Sequence, residues 1–402
     1  MTERSGGAGT PALEGGSPAR ETFLPFHRPI IGEEEIAEVV DTLRSGWLTT
    51  GPRTRRFEQA FAAYVGARNA IGLNSCTAGI HLALVAAGVG PGQEVLMPAV
   101  CFPATANMVV NLGGVPVLVD VERDTLALDT ALLRASVSPR TTAIIVVHFA
   151  GHPCDMDPVM EIAREHGLTV IEDCAHALEA TYRGRRVGSI GDYAAYSFYA
   201  TKNITTGEGG MLVTRHGDQE EKLRILSLHG ISRDAWKRHV PREYEHWETL
   251  YPGFKYNMFD IQAALGLHQL RRAGEWLEVR KRWTDLYDDA FQGLEFVRPL
   301  VRRDYAGAAY HLYVLLLETE KLRVDRDRIL QALQGENIGI GVHFRSLHLH
   351  AFYRERFPRD DLPIAEWASS RILSLPLYPA LREEDVRDVI RAVEKVVRYY
   401  AR

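Results

Sequence analysis

The chain has 402 residues, 46% hydrophobic and 25% charged, with a net charge of −5. That mild acidity argues against nucleic acid as the main partner, which would favour a basic face. No apolar run reaches the ~20 residues of a membrane-spanning helix, so no membrane role is expected. The four cysteines, Cys76, Cys101, Cys154 and Cys174, lack C-x-x-C spacing. They read as reduced packing thiols of a cytoplasmic protein.

The first segment, "MTERSGGAGTPALEGGSPARE", has no apolar stretch of a secretory signal. Its Gly, Ser, Thr and Pro content predicts a disordered leader over residues 1–22. From Phe23 onward, strands alternate with helices. β-rich runs occur at 69–74, 94–98, 115–120, 142–148, 168–173, 193–198 and 210–214. Between most of them lie helical patterns such as "TAGIHLALVAAG" and "MDPVMEIAREHG", the second capped by Gly167. Runs such as "AIIVVH" are almost continuously apolar, which fits a sheet covered on both faces. The expectation is an α/β core of about seven strands, mostly parallel because the crossovers are helical. A long charged helix then runs to about Phe291, followed by strand-like "HLYVLLLE" and a closing helix "EEDVRDVIRAVEKVVRYY". The domain boundary is placed in the long helix, between a large domain over 23–275 and a small C-terminal α/β domain over 276–402.

In an open α/β sheet, ligands gather at the carboxyl ends of strands. After the first run comes "NSCTAG", where Ser75, Thr77, Ala78 and Gly79 open a helix and offer amides and hydroxyls to a phosphate. Ser and Thr are equally ordinary helix caps. After the second run comes Phe102, an aromatic that can stack on a flat ring or simply pack. Asp173 ends the fifth run, where a carboxylate is costly to bury without a partner, and His176 follows three residues on. A helix N-cap is the competing role for Asp173. Ser197 ends the sixth run. The loop "SFYATKNITTGEGG" after it carries one lysine, Lys202, among hydroxyls, aromatics and glycines.

One ligand uses all of these groups at once. It has a phosphate for Thr77, Ala78 and Ser197, a ring face for Phe102, a ring cation for Asp173 and an aldehyde for Lys202. That ligand is pyridoxal phosphate, which asks of a protein a Schiff-base lysine and an acidic partner for the pyridinium nitrogen. No metal is invoked.

At this point the chain resembles the DegT-type nucleotide-sugar aminotransferases, enzymes of the aspartate-aminotransferase-like fold type I. The motifs are "SGWLTTGP" (45–52), "IEDCAHA" (171–177) and "SFYATKNITTGEGGMLVT" (197–214). With "GFKYNMFDIQAALGLHQL" (253–270) and the segment 343–379, they are most similar to the branch that makes UDP-4-amino-4-deoxy-L-arabinose. The resemblance implies that Lys202 forms the Schiff base and that Asp173 holds the ring nitrogen. It further implies that Phe102 stacks on the ring, that His176 lies beside the phenolic oxygen, and that Thr77, Ala78 and Ser197 contact phosphate. By the same resemblance the "GFKYN" segment serves the partner subunit, so Lys255 and Asn257 complete the site of a homodimer. Many relatives carry asparagine and arginine, respectively, at those two positions.

The implied reaction moves an amino group from glutamate to a nucleotide-linked keto-sugar, a UDP-4-keto-sugar aminated at C4. The freed Lys202 amine carries the proton. Trp47, Thr49, His343, Arg345 and His348 are the candidates for holding the nucleotide-sugar, and Tyr199 either lines the pocket or packs. A dehydratase of the same fold replaces the lysine with histidine, and Lys202 stands against it. A degenerate regulatory protein would lack Asp173 or Lys202. A nicotinamide dehydrogenase would need G-x-G-x-x-G where this chain has "NSCTAG". An aminotransferase for another sugar or cyclitol, of an antibiotic or surface glycan, is the alternative substrate reading.

Overall fold

The computed structural model describes residues 9–232 and 247–402. Its first strands are β1 (Ala70–Leu73), β2 (Glu94–Pro98), β3 (Val115–Val119), β4 (Thr141–Val147), β5 (Thr169–Asp173), β6 (Thr181–Tyr182) and β7 (Arg185–Arg186). They are followed by β8 (Tyr193–Ser197), β9 (Gly210–Thr214), β10 (Val297–Pro299), β11 (Ala306–Gly307), β12 (Tyr313–Leu317) and β13 (Ile372–Leu375). The seven runs expected from the sequence form one sheet, in the order β1-β9-β8-β5-β4-β2-β3. Its pairs are parallel except those of β9, which is antiparallel to both β1 and β8. The cause is local. A loop without a crossover helix joins β8 to β9, and such a connection returns the chain antiparallel. That loop carries Lys202.

Alternation along the strands divides the interior in two, because successive side chains point to opposite faces. Ile71, Val95, Met97, Ile145 and Ile171 pack with the helices Cys76–Ala86 and Pro103–Asn111. Leu96, Ile144, Val146 and Val170 face the other way, against the helices Pro52–Val65 and Met156–His166 and the first half of Asp260–Phe291. Both faces are covered, as the apolar runs require.

The small sheet, β10-β12-β13, is antiparallel throughout. It packs with the helices Arg326–Gly335 and Glu383–Tyr399. The long helix Asp260–Phe291 serves both units. Ala263, Leu267, Ala273 and Trp276 belong to the large sheet's core, whereas Trp283, Tyr287 and Phe291 belong to the small sheet's. The expected division at 275/276 lies inside this helix, beside that change of core. No described helix is long and apolar enough to cross a membrane.

The N-terminus departs from expectation. Residues 1–8 of the expected leader lie outside the described residues, but 9–22 are packed against the small unit. Glu336, fully buried, accepts hydrogen bonds from the Ala12 and Ala19 amides at 2.8 and 2.7 Å and from Lys395 at 2.9 Å. Arg20 pairs with Asp385 and Asp388. Leu24 bridges to Ile338 inside the small unit's core, so that unit begins earlier than Phe23 and draws on both ends of the chain. A composition rich in small polar residues hides order supplied by a distant buried carboxylate.

Candidate active site

The sheet order places a switch between β2 and β4, from which the chain winds outward in both directions. A cavity of about 320 Å³ opens at the carboxyl ends of these strands, where such folds bind ligands. Thr77, Phe102, Asp173, His176, Ser197 and Lys202 all line it. Tyr199 and His343 line it too.

Asp173 ends β5 and is 5% exposed. Thr105 Oγ1 donates to its Oδ2 at 2.9 Å, and the Ala175 amide donates to Oδ1 at 3.1 Å. Burial raises its pKa against these two bonds and the Lys202 charge, so an opposing cation in the cavity is well rewarded. Turns, not a helix, follow Asp173, which removes the N-cap alternative. Its neighbour Glu172 points to the other face and anchors β5. That carboxylate pairs with His148 at 2.9 Å and accepts the Gly188, Ile190 and Gly191 amides.

Lys202 sits in the cavity wall with no ion pair within 4 Å among the described residues, and burial lowers its pKa to about 8 although Asp173 pulls the other way. An amine in that range is neutral often enough at physiological pH to attack a carbonyl. His176 is buried, its Nδ1 has no protein partner, and burial lowers its pKa well below the usual value. Phe102 is 58% exposed and faces Phe344 across 5.9 Å between ring centres. Ser75, rather than Thr77, caps the helix Cys76–Ala86, its Oγ accepting the Ala78 amide at 3.1 Å. Gly210 passes beneath this turn, where a Cβ would come within 2.3 Å of the Ser75 backbone.

Other candidates lie elsewhere. Ala78 is buried and outside the cavity lining, with its amide already bonded to Ser75. Lys255 and Asn257 sit outside their own cavity, beside the end of β1. Lys255 Nζ donates to Asn257 Oδ1 at 2.5 Å, and Asn257 Nδ2 donates to Thr50 Oγ1 at 2.7 Å. Trp47 and Thr49 join the same group, through the bonds Trp47 Nε1 to Thr50 O and Asp260 N to Thr49 O. Asp260 fixes that segment by accepting the Gly51, Arg53 and Thr54 amides. His343 lines the cavity with Nδ1 bonded to Ser374 at 2.9 Å, but Arg345 is exposed outside it. His348 is 6% exposed with Nδ1 on Ser346 at 2.8 Å, an internal bond that departs from the expected substrate contact.

The cavity also has walls that strand-end reading did not find. Phe26 and His27 come from the N-terminal segment, and His311 and Phe344 from the small unit. Thr105 carried a signal, a hydroxyl in the first turn after Phe102. The others carry none without the tertiary fold.

The set suits a planar phosphorylated aldehyde with a basic ring nitrogen: a reactive amine, a buried carboxylate, an aromatic face, an unpartnered imidazole and a glycine-cradled turn. Comparison with known proteins agrees. Residues 29–394 match the DegT/DnrJ/EryC1/StrS aminotransferase family. The uncharacterized protein MJ1066 of Methanocaldococcus jannaschii is 48% identical over 94% of this chain and 98% of its own length. The spore coat polysaccharide biosynthesis protein SpsC of Bacillus subtilis is likewise 48% identical, with the same coverage. Among solved structures, the putative sugar aminotransferase Spr1654 of Streptococcus pneumoniae, in its PLP form, superposes with a TM-score of 0.88 at 34% identity. That match covers 94% of this chain and 100% of Spr1654. The chain therefore belongs to the DegT/DnrJ/EryC1/StrS aminotransferase family and is a pyridoxal-phosphate-dependent aminotransferase of fold type I.

Proposed function

We propose that this aminotransferase moves an amino group from glutamate to a nucleotide-linked keto-sugar, a UDP-4-keto-sugar aminated at C4. The observation that carries the reading is the character of the cavity wall. Aromatic rings at the mouth, Phe102 at 58% and Tyr199 at 47% exposure, accompany histidines within. Aromatic faces and imidazoles suit a ring bearing hydroxyls. SpsC, named for spore coat polysaccharide biosynthesis, and Spr1654, named a sugar aminotransferase, support the same acceptor class.

In this reading Lys202 would hold the cofactor's aldehyde carbon, Asp173 its ring nitrogen and Phe102 a ring face. His176 would lie beside the phenolic oxygen, and Thr77 and Ser197 would hold the phosphate. The bound cofactor supplies an electron sink for the carbanion left when a Cα–H bond breaks. Asp173 keeps the ring nitrogen protonated. Lys202 Nζ would take the proton from the donor's α-carbon and deliver it to the carbon that carried the cofactor's aldehyde, and would make the reverse transfer, ending at the acceptor's carbonyl carbon, for the keto-sugar. Trp47, Thr49, Lys255 and Asn257 form a patch that serves a second copy of the chain, which makes the working unit a homodimer. Four buried, unbridged cysteines support a cytoplasmic setting.

The test is a panel assay. Purified enzyme receives glutamate and, one at a time, UDP-linked and dTDP-linked 4-keto-sugars, a 3-keto-sugar and simple keto acids, and 2-oxoglutarate release is followed. Amination of a UDP-4-keto-sugar with the highest kcat/KM is expected. Preference for a keto acid overturns the sugar reading, and preference for another nucleotide or keto position corrects the substrate.

A further inference from the structure

Thr105 touches Asp173, yet the mechanism above gives it no part. It stands fully buried in the first turn of the helix Pro103–Asn111, whose N-cap is Phe102. Its amide donates to Phe102 O at 3.2 Å, and its Oγ1 donates to Asp173 Oδ2 at 2.9 Å. That helix follows β2, whereas Asp173 ends β5, and β4 lies between those two strands in the sheet. One turn of helix therefore sets the Phe102 ring and the Asp173 carboxylate in register across a strand to which neither belongs.

The lone pairs of the carboxylate can be counted. Its two oxygens offer about four sites. On Oδ1, the Ala175 amide at 3.1 Å and the Cys76 thiol, 4.0 Å away at sulfur, take two. On Oδ2, Thr105 takes one, which leaves the open site on that same oxygen. An ionised carboxylate only accepts, so the Thr105 hydroxyl spends its single hydrogen here. A donor on an oxygen weakens that oxygen's hold on any proton it shares. Burial pushes the Asp173 carboxyl up, and the Ala175 and Thr105 bonds push it back. The other titratable groups that bear on it are Lys202, His148 and the thiols of Cys76, Cys101 and Cys174. His148 is paired with Glu172, and burial pushes all three thiols up, so they stay neutral.

We propose that Thr105 is a positioning residue that acts through Asp173: its hydroxyl fixes Oδ2 as a weak base, so that a proton shared between Oδ2 and the cofactor's ring nitrogen stays on the nitrogen. The proposal rests on the reading of Asp173 as the partner of that nitrogen. Without the hydroxyl, Oδ2 is more basic and the shared proton moves toward the carboxylate. The ring then loses positive charge and accepts electrons less well.

Three substitutions test this. Thr105→Val keeps the shape and loses the hydroxyl, Thr105→Ser keeps the hydroxyl, and Asp173→Asn removes the charge. In cofactor-free protein with carboxyl-labelled aspartate, the Asp173 signal, assigned by its loss in Asp173→Asn, is titrated by NMR. Thr105→Val is expected to raise its midpoint by about one to two pH units, the worth of a hydrogen bond to a charged group, and Thr105→Ser by under about half a unit. In the holoenzyme, nitrogen NMR of ring-labelled pyridoxal phosphate should show a protonated nitrogen in wild type and Thr105→Ser. It should show a bare one in Asp173→Asn and a signal between the two in Thr105→Val. The glutamate half-reaction of Thr105→Val slows by about tenfold, and that of Thr105→Ser stays near wild type. A merely structural Thr105 lowers the melting temperature of Thr105→Val and leaves both NMR signals where they were, which overturns the proposal. A wild-type nitrogen signal in Asp173→Asn overturns the reading of Asp173 and the proposal with it. A shift in Asp173→Asn with none in Thr105→Val overturns the proposal alone. Should Thr105→Val fail to fold, Thr105→Ala takes its place, and wild-type signals there overturn the proposal.

Discussion

Asp173 is held by three neutral donors, Thr105, the Ala175 amide and the Cys76 thiol, with no ion pair within 4 Å among the described residues. A carboxylate kept charged in such a place has its value in what enters the cavity. Asp173→Asn keeps the size and removes the charge. The glutamate half-reaction should slow by about a hundredfold or more, as when a preorganised electrostatic contact is lost. The melting temperature should hold or rise, since a buried charge is gone. A half-reaction at the wild-type rate would remove Asp173 from the chemistry. Lys202 gives the opposite side of the same argument. Its folded pKa near 8 lies below the ordinary 10.5, so between those pH values the unfolded chain binds more protons. Stability of the cofactor-free protein therefore rises as pH climbs through that window, and the cost is fully present below it. Lys202→Met abolishes transamination, yet at pH 7 it should be more stable, by on the order of 1 kcal/mol after allowing for partial exposure. The two melting curves should converge above pH 10.5, and a gap that persists there points to packing instead. Residues at strand ends were legible because a carboxylate or lysine closing an apolar run has few structural excuses. His311, Phe26 and Phe344 were not, because each enters the cavity from a segment far away in sequence.

Secondary elements were legible wherever burial was two-sided. The seven strands of the large sheet announce themselves as apolar runs, and their ends fall within a residue of the expected ones. The hairpin β6–β7, which pairs with β11, has strands of two residues, too short for any period to register. Packing can also reverse what propensity says of a helix. Gly266 lies inside the long helix, where alanine ordinarily gains about 1 kcal/mol. Here a Cβ would come within 2.5 Å of the fully buried Phe57 ring. Gly266→Ala is therefore expected to destabilise by about 1–3 kcal/mol, the cost of overpacking. A chemical denaturation curve checks the sign, and a stabilised variant means that Phe57 yields.

At the scale of the whole molecule, the patch of Trp47, Thr49, Lys255 and Asn257 lies outside the lining of its own cavity. If it completes the cavity of a second copy, Lys202→Ala and Asn257→Ala chains, each inactive, should regain part of the wild-type activity when refolded together. One hybrid site then has both halves intact. A mixture as inactive as its components refutes the shared site. The arm over residues 9–22 has a different consequence, one of timing. Its anchors are far along the chain: Ala12 and Ala19 bond to Glu336, 324 and 317 residues on, and Arg20 reaches Asp385, 365 residues on. During synthesis on the ribosome, the large sheet can collapse while the arm still has nothing to bind. Contacts so distant in sequence close late, because a long loop must be drawn in before they form. The segment continuing from the arm brings Phe26 and His27 to the cavity wall. A nascent chain can therefore own its lysine and its aspartate and still have an open pocket, which closes only when the last helix has left the ribosome.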